Sequence, residues 1–123
     1  MQCGASKLGK EKNYQLLKFT SDMFGFLFGK NNIKEAIKKG AVIIDVRTPH
    51  EYDNGRIPRS INIPVDRISA SIERIRSMKK PVIVCCESGM RSNTAKNILK
   101  SAGLTEVYNG GSWESVLKII NKL

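Results

Sequence analysis

The stretch PVIVCCESGMRS, residues 81–92, decides how the rest of the chain is interpreted. Its first half is a short apolar, β-branched run, which is typical of a fully buried strand. A small polar loop that contains Gly89 follows. Beyond the loop, Ser92 or Asn93 can act as the N-cap of a helix with an apolar stripe formed by Ala95, Ile98, Leu99 and Ala102. The stretch therefore predicts a strand, a loop and a helix in immediate succession.

A loop that leads from a strand into a helix carries partial positive charge, because its backbone N–H groups lack intrahelical partners and the helix dipole adds to them. An anion fits such a place, and the same field lowers the pKa of a cysteine thiol. Here a cysteine, the loop N–H groups and Arg91 surround one small space. The combination predicts a nucleophilic thiolate that acts on an anionic or sulfur-bearing substrate.

Length and composition define the class of protein. At 123 residues the chain has the size of one domain, and its 41% apolar and 26% charged residues are ordinary for a globular protein. The sequence shows neither an apolar run of the roughly 20 residues that span a bilayer nor a secretory leader pattern. The three cysteines, two of them adjacent, form no disulfide framework, so we expect a reducing, cytoplasmic location.

The net charge of +10 is large for this length. Nucleic acid and acidic membranes are the usual partners of such a charge. The lysines are scattered, however, and the sequence contains no nucleic-acid-binding motif. We therefore expect a solvated basic surface that attracts small anions, and no nucleic-acid partner.

Residues 1–30 differ from the rest and are interpreted as an N-terminal extension, either flexible or packed through its apolar part. Gln2 stands where N-myristoylation needs glycine. The apolar segment 23–28 is expected to pack against the domain, with a membrane surface or a partner as the alternatives. Met23 as the natural start is a further alternative.

From residue 31 onward helices and strands alternate. The pattern predicts helices from residue 31 or 32 to Gly40, from Thr48 to Gly55 with Glu51 as its capping-box partner, over roughly 66–78, after the cysteine loop and from Ser112. It predicts strands at 41–46, 61–63, 82–85 and 106–108, with a turn at 109–111. Such alternation favours a parallel sheet covered on both faces. The cysteine loop then lies at a strand's carboxyl end, where these folds bind ligands.

Side chains outside the loop are given structural roles. Asp45 and Arg47 are predicted to support the fold by holding neighbouring loops through charged hydrogen bonds. His50, the single histidine, is interpreted as a solvated surface residue and Met78 as a core residue. Trp113 is also expected in the core, with the mouth of the active site as the alternative. One histidine and unclustered cysteines predict no metal site, and the sequence shows no nucleotide-binding glycine motif, so we expect no cofactor.

Three segments in chain order resemble the signatures of single-domain rhodanese-like proteins. They are Asp45-Val46-Arg47 with the residues up to Asn62-Ile63-Pro64, the loop 86–92, and Gly110-Gly111-Ser112-Trp113. The resemblance covers residues 31–123 and implies a rhodanese-like domain, an α/β fold with a five-stranded parallel sheet and helices on both faces. It also implies a sulfurtransferase in which Cys86 takes a sulfane sulfur from thiosulfate or a persulfide and passes it to a thiol, cyanide or a protein acceptor.

In that family resemblance the loop binds the substrate, and the residues involved are Glu87, Ser88, Gly89, Met90, Arg91 and Ser92. Their N–H groups would hold the persulfide and the donor oxygens, with Arg91 at the edge. Glu87 departs from the pattern, because members that use thiosulfate often carry a basic residue beside the cysteine. A carboxylate there repels a dianion by about 1 kcal/mol in a wet site, which disfavours thiosulfate as the natural donor.

Two alternative functions compete with sulfur transfer. Some enzymes of this fold are phosphatases or arsenate reductases with five residues between cysteine and arginine, and that spacing is obtained here by counting from Cys85. We favour Cys86, because Cys85 fits the last buried position of the strand, where it would be an inert small hydrophobe. The second alternative is a non-catalytic sulfur carrier or docking module, for which the apolar segment 23–28 would supply the docking surface.

Overall fold

The computed structural model describes residues 31–123, and the predictions made for the N-terminal extension, including Gln2, Met23 and the segment 23–28, lie outside them. A helix, α1, covers 31–38. It is followed by β1 (Val42–Asp45), α2 (Pro49–Asp53), β2 (Ile61–Asn62), two 3-10 turns (Val65–Arg67 and Ser69–Ser71), α3 (Ile72–Ser77), β3 (Val82–Cys86), α4 (Met90–Ser101), β4 (Val107–Ser112) and α5 (Trp113–Asn121).

The strands form one parallel sheet in the order β2-β1-β3-β4, which confirms the predicted α/β class. In the described part of the chain the sheet has four strands, one fewer than the family resemblance implies. Asp45 is in register with Cys85, and Val84 with Asn109. The carboxyl ends of β1, β3 and β4 therefore meet at one edge of the sheet, beside the cysteine loop.

Strand β3 lies at the centre of the described domain, and every one of its residues is buried. Successive side chains of a strand point to opposite faces. Ile83 and Cys85 accordingly pack with Val116 of α5, whereas Val84 and Cys86 pack with Leu99 of α4. The two adjacent cysteines thus belong to two different cores, one on each face of the sheet.

Two local signals in the sequence are confirmed in atomic detail. Thr48 Oγ1 accepts the Glu51 N–H at 3.2 Å and Glu51 Oε1 accepts the Thr48 N–H at 3.0 Å, which is the predicted capping box. Gly40, at φ +86°, closes α1, and the Ala41 N–H donates to the Ala36 carbonyl at 3.0 Å. His50 is exposed, as predicted.

Two predicted elements are wrong in detail. The helix expected over roughly 66–78 is divided into two 3-10 turns and the short α3, because the Ser71 hydroxyl donates to the Arg67 carbonyl at 2.9 Å and competes with the helical bonding pattern. Met78, expected in the core, is only half-buried. The turn expected at 109–111 is part of β4, where a register irregularity opposite Val84 and Cys85 accommodates one extra residue.

Candidate active site

The cysteine loop is shorter than the sequence pattern predicts. Strand β3 continues to Cys86, and α4 begins at Met90 after Gly89, which has φ +102° and whose carbonyl accepts the Asn93 N–H at 3.0 Å. The predicted N-cap at Ser92 or Asn93 is therefore wrong, and Ser92 lies buried in the first helical turn. Because the helix starts early, the backbone N–H groups of Gly89 and Ser92 face the sulfur atom of Cys86.

Cys86 Sγ occupies the position that a capping side chain usually takes at a helix N-terminus. The Gly89 N–H donates to Sγ at 3.0 Å and the Ser92 N–H at 3.4 Å, while Ser92 Oγ lies 3.4 Å away. Burial by itself raises the pKa of Cys86. The hydrogen bonds from the Ser92 side chain and from the backbone of Ser92, Gly89 and Ser88 outweigh it, and the pKa lies below its ordinary value. The site thus favours a thiolate.

Cys86 itself has no solvent-exposed surface. A substrate that reacted with this sulfur would therefore need part of the loop between β3 and α4 to move aside. The outer residues of that loop are accessible: the Glu87 side chain is 57% exposed and Met90 is 78% exposed. Ser88 is exposed as well. These residues would meet a substrate first.

Arg91 lies next to the loop, but its charge is already matched. Its guanidinium donates two hydrogen bonds to the carboxylate of Glu51, at 2.7 and 3.0 Å. The bond from Arg91, followed by the backbone bond from Thr48, lowers the pKa of Glu51 from 4.5 to about 2. The sequence pattern identified Glu51 only as a capping residue, because a contact between residues that are 40 positions apart leaves no local signal.

Asp45 and Arg47 are buried together beside the loop. Arg47 donates to both carboxylate oxygens of Asp45, at 2.7 to 3.0 Å, and its Nη2 also donates to the Gly55 carbonyl at 2.6 Å. The guanidinium stacks 4.8 Å from the ring centre of Trp113, and its Nη1 lies 3.8 Å from the Glu87 carboxylate. The pair therefore connects the end of β1 with the segments around it, in keeping with a supporting role.

Cys85, the nucleophile of the phosphatase hypothesis, lies on the opposite face of the sheet from Cys86. It is fully buried in the core that includes Ile83 and Val116. Burial, with a smaller contribution from the charge of Asp45, raises the pKa of the Cys85 thiol far above its ordinary value. Such a thiol is uncharged at neutral pH and is a poor nucleophile.

Asn109 is a residue of this site that the sequence pattern did not single out. Its Oδ1 accepts the Ser92 hydroxyl at 2.6 Å and the Gly111 N–H at 2.9 Å, and its Nδ2 donates to the Gly89 carbonyl at 3.1 Å. The sequence interpretation assigned Asn109 to a turn because two glycines follow it. Asn109 instead lies on β4 beside β3, and its side chain connects the sheet to the cysteine loop.

Other features lie apart from this site. A shallow cavity of about 240 Å³ opens at the amino end of β3, where Arg76, Lys79 and Glu106 are among the lining residues. Among residues 31–123, no three or more histidine, cysteine, aspartate or glutamate side chains are grouped to bind a metal ion. In the same part of the chain, no helix has the length and apolar character needed to cross a membrane.

Comparison with known proteins identifies relatives of this arrangement. The family model for the "Rhodanese-like domain" matches residues 30–118. The uncharacterized protein YqhL of Bacillus subtilis is 39% identical over 69 residues, which cover 56% of this chain and 54% of that protein. The chain thus matches little more than half the length of this relative.

Two further relatives come from Escherichia coli. The thiosulfate sulfurtransferase PspE is 34% identical over 74 residues, which cover 59% of this chain and 71% of PspE. A solved structure described as a rhodanese with anions superposes with a TM-score of 0.57 at 34% identity, over 61% of this chain and 89% of the other. The residues that the family model matches include all four strands, the cysteine loop and helices α1 to α4, and they end within α5.

Proposed function

This chain belongs to the family of rhodanese-like domains, and on that premise we propose that it is a sulfurtransferase that carries a sulfane sulfur as a persulfide on Cys86. The observation that supports this most directly is the set of donors around one sulfur atom, with the Gly89 N–H at 3.0 Å and the Ser92 N–H at 3.4 Å from Cys86 Sγ. Donors arranged in this way stabilise a thiolate before the reaction and a negatively charged persulfide after it.

The reaction takes place in two displacements. In the first, the Cys86 thiolate attacks the sulfane sulfur of the donor, a new S–S bond forms, and the old S–S bond breaks to release a thiolate or sulfite with its electron pair. In the second, the acceptor thiolate or cyanide attacks the outer sulfur of the persulfide. The bond between that sulfur and Sγ breaks, and the Cys86 thiolate is restored.

The residues of the cysteine loop have different roles in this reaction. The N–H groups of Ser88, Gly89 and Ser92 hold the sulfur anion, as their hydrogen bonds to Sγ suggest. Arg91 stabilises the loop through its pairing with Glu51, and Glu87 and Met90 form the rim that a substrate passes. The assignment of substrate binding to residues 87–92 rests on this arrangement.

A persulfide is the donor class that the charges favour over thiosulfate. The charge of Arg91 is matched by Glu51 and that of Arg47 by Asp45, whereas Glu87 adds a further exposed carboxylate. A dianion meets a repulsion of about 1 kcal/mol from one such carboxylate, about a fivefold loss. The acceptor of the sulfur is a small thiol, cyanide or a protein thiol. We also propose a reducing compartment such as the cytoplasm, because Cys85 and Cys86 are free thiols.

The test is the intact mass of the reduced protein after mixing with thiosulfate and, separately, with a small-molecule persulfide. We expect a gain of one sulfur atom that cyanide or a thiol removes. Cys86→Ser should abolish the gain, and Cys85→Ser should retain most of it, because Cys85 lies in the other core. A gain that depends on Cys85, or turnover of a phosphate ester without any sulfur gain, would contradict the proposal and favour the phosphatase alternative.

A further inference from the structure

The orientation of the Asn109 side-chain amide is determined by partners with unambiguous roles. A backbone N–H can only donate and a backbone carbonyl can only accept. The Gly111 N–H lies 2.9 Å from one end of the amide, which must be Oδ1, and the Gly89 carbonyl lies 3.1 Å from the other end, which must be Nδ2. Oδ1 therefore faces Ser92, whose hydroxyl donates to it at 2.6 Å.

The Ser92 hydroxyl has one proton and two neighbours that compete for it. While the proton points to Asn109 Oδ1, the oxygen presents lone pairs to Cys86 Sγ, 3.4 Å away, and can accept the S–H of a neutral thiol. A thiolate needs the opposite arrangement, in which the hydroxyl donates to sulfur. Rotation of the Ser92 hydroxyl about its C–O bond converts the first arrangement into the second, and no heavy atom has to move.

We propose that Asn109 is a positioning residue for sulfur transfer. It accepts the hydrogen bond of the Ser92 hydroxyl while Cys86 is a thiol, and it releases the hydroxyl to donate a hydrogen bond to the sulfur when the thiolate forms. When the Ser92 hydroxyl turns away, Asn109 Oδ1 still accepts the Gly111 N–H and is not left unsatisfied. The Cys86 proton itself goes to solvent, and Asn109 neither gains nor loses a proton. The role in turnover rests on the proposed function, whereas the competition for the proton does not.

The same amide also anchors the loop. Nδ2 donates to the carbonyl of Gly89, the residue whose own N–H donates to Sγ at 3.0 Å. One side chain on β4 thus controls both the hydroxyl donor and the nearest backbone donor of the sulfur. A loss of Asn109 consequently has two opposite effects: a freed hydroxyl favours the thiolate, and a loosened loop disfavours it.

The test is the midpoint of Cys86 ionisation, measured as the pH dependence of iodoacetamide alkylation and read on the Cys86 peptide by mass spectrometry. Relative to its effect in a Ser92→Ala background, Asn109→Ala should lower the midpoint by about half a pH unit, roughly a threefold change in thiolate fraction, because the freed hydroxyl then donates to sulfur without losing a bond. Asn109→Asp should raise the midpoint, since a carboxylate holds the hydroxyl more tightly and also adds a negative charge close to the sulfur. The exposed Asn97→Ala is the matched control, with an unchanged midpoint.

A second comparison separates this role from a purely structural one. In a Ser92→Ala background there is no hydroxyl to compete for, so the effect of Asn109→Ala there reports only the loosened loop, which raises the midpoint or leaves it unchanged. An equal shift of the midpoint in the two backgrounds would overturn the proposal. If Asn109→Ala does not fold, Asn109→Asp is compared in the same two backgrounds, because that variant keeps the acceptor for Gly111. A larger rise of the midpoint with Ser92 than with Ser92→Ala then supports the proposal, and an equal rise overturns it.

Other charged or titratable groups also act on this titration and are the same in every variant. They lie on α4, α2, β1, β3, the loop and the segment after β1, and they are Arg91, Glu51, Asp45, Arg47, Cys85 and Glu87. The midpoint is measured without a sulfur donor, so it is independent of sulfur transfer. A correct pattern of midpoints in a protein that no donor loads with sulfur would retain Asn109 as a positioning residue and reject the proposed function.

Discussion

A single carboxylate, that of Glu51, joins two parts of the candidate site that are distant in sequence. It completes the capping box of α2 with Thr48 and it binds Arg91 at the start of α4. Because its folded pKa of about 2 lies below the ordinary value of 4.5, the folded state holds its proton less tightly than the unfolded chain does. Glu51 therefore stabilises the fold above pH 4.5, and this contribution disappears as the pH falls toward 2.

The prediction is that Glu51→Gln loses this part of the acid sensitivity. The wild-type free energy of unfolding should fall more steeply between pH 6 and pH 3 than that of the variant, as measured by urea denaturation at both values. Glu35→Gln is a suitable control, since its carboxylate is exposed and makes only a loose pair with Lys38 at 3.8 Å. Equal losses for wild type and Glu51→Gln would show that the Arg91 pairing does not stabilise the fold.

Among the elements, β4 departs furthest from its sequence-based prediction. Gly110 lies opposite β3 where a side chain has no room: an added Cβ would lie 2.5 Å from Val116 Cγ2 and 2.9 Å from Ile83 Cγ2. Gly111, at φ +81°, provides the change of direction that follows. The two glycines thus mark a close approach of α5 to the sheet and a bulge, not the end of the strand.

We predict that Gly110→Ala lowers the free energy of unfolding by about 1–3 kcal/mol, because the extra methyl group overpacks the core beneath α5. In a Val116→Ala background the cost of the same substitution should shrink, since the nearest clashing methyl group is gone. Urea denaturation of the four proteins of this double-mutant cycle measures both costs. Identical costs in the two backgrounds would mean that Val116 does not limit the space at Gly110.

The elements show where sequence patterns succeed and where they do not. Caps and periodic apolar positions act over a few residues, so the Thr48 cap and the buried β3 were predictable. The break before α3 depends on one hydroxyl of Ser71, and the bulge of β4 depends on the shape of its neighbours. In the candidate site, the loop and Cys86 were visible as a local motif, whereas Asn109 and the Glu51 contact come from other elements and needed the folded chain.

In the molecule as a whole, the buried pair of Asp45 and Arg47 ties the sheet to the segments at its carboxyl edge. Asp45 is 0% and Arg47 is 3% exposed, and Arg47 also donates to the Gly55 and Glu51 carbonyls. Asp45→Asn should therefore lower the free energy of unfolding by about 3–5 kcal/mol, because it leaves a buried guanidinium without its counter-charge.

Urea denaturation at neutral pH measures this loss, with Glu73→Gln as the control. Glu73 pairs with Arg76 on the surface, where the loss of an ion pair costs about 1 kcal/mol or less. If Asp45→Asn is no more costly than Glu73→Gln, the pair is not a structural centre of the domain. Neither substitution changes a residue of the cysteine loop, so the effects on stability can be compared directly.

The complete burial of Cys86 has a consequence for the lifetime of the protein. A thiolate-prone cysteine that faces solvent is oxidised by peroxide to the sulfenic acid and then, irreversibly, to the sulfinic and sulfonic acids. In this structure the sulfur is covered, so an opening of the loop that admitted a substrate would also admit oxidants. The rate of inactivation by peroxide should therefore increase with the frequency of loop opening. A protein whose loop opens more often would then have a shorter lifetime in the presence of peroxide.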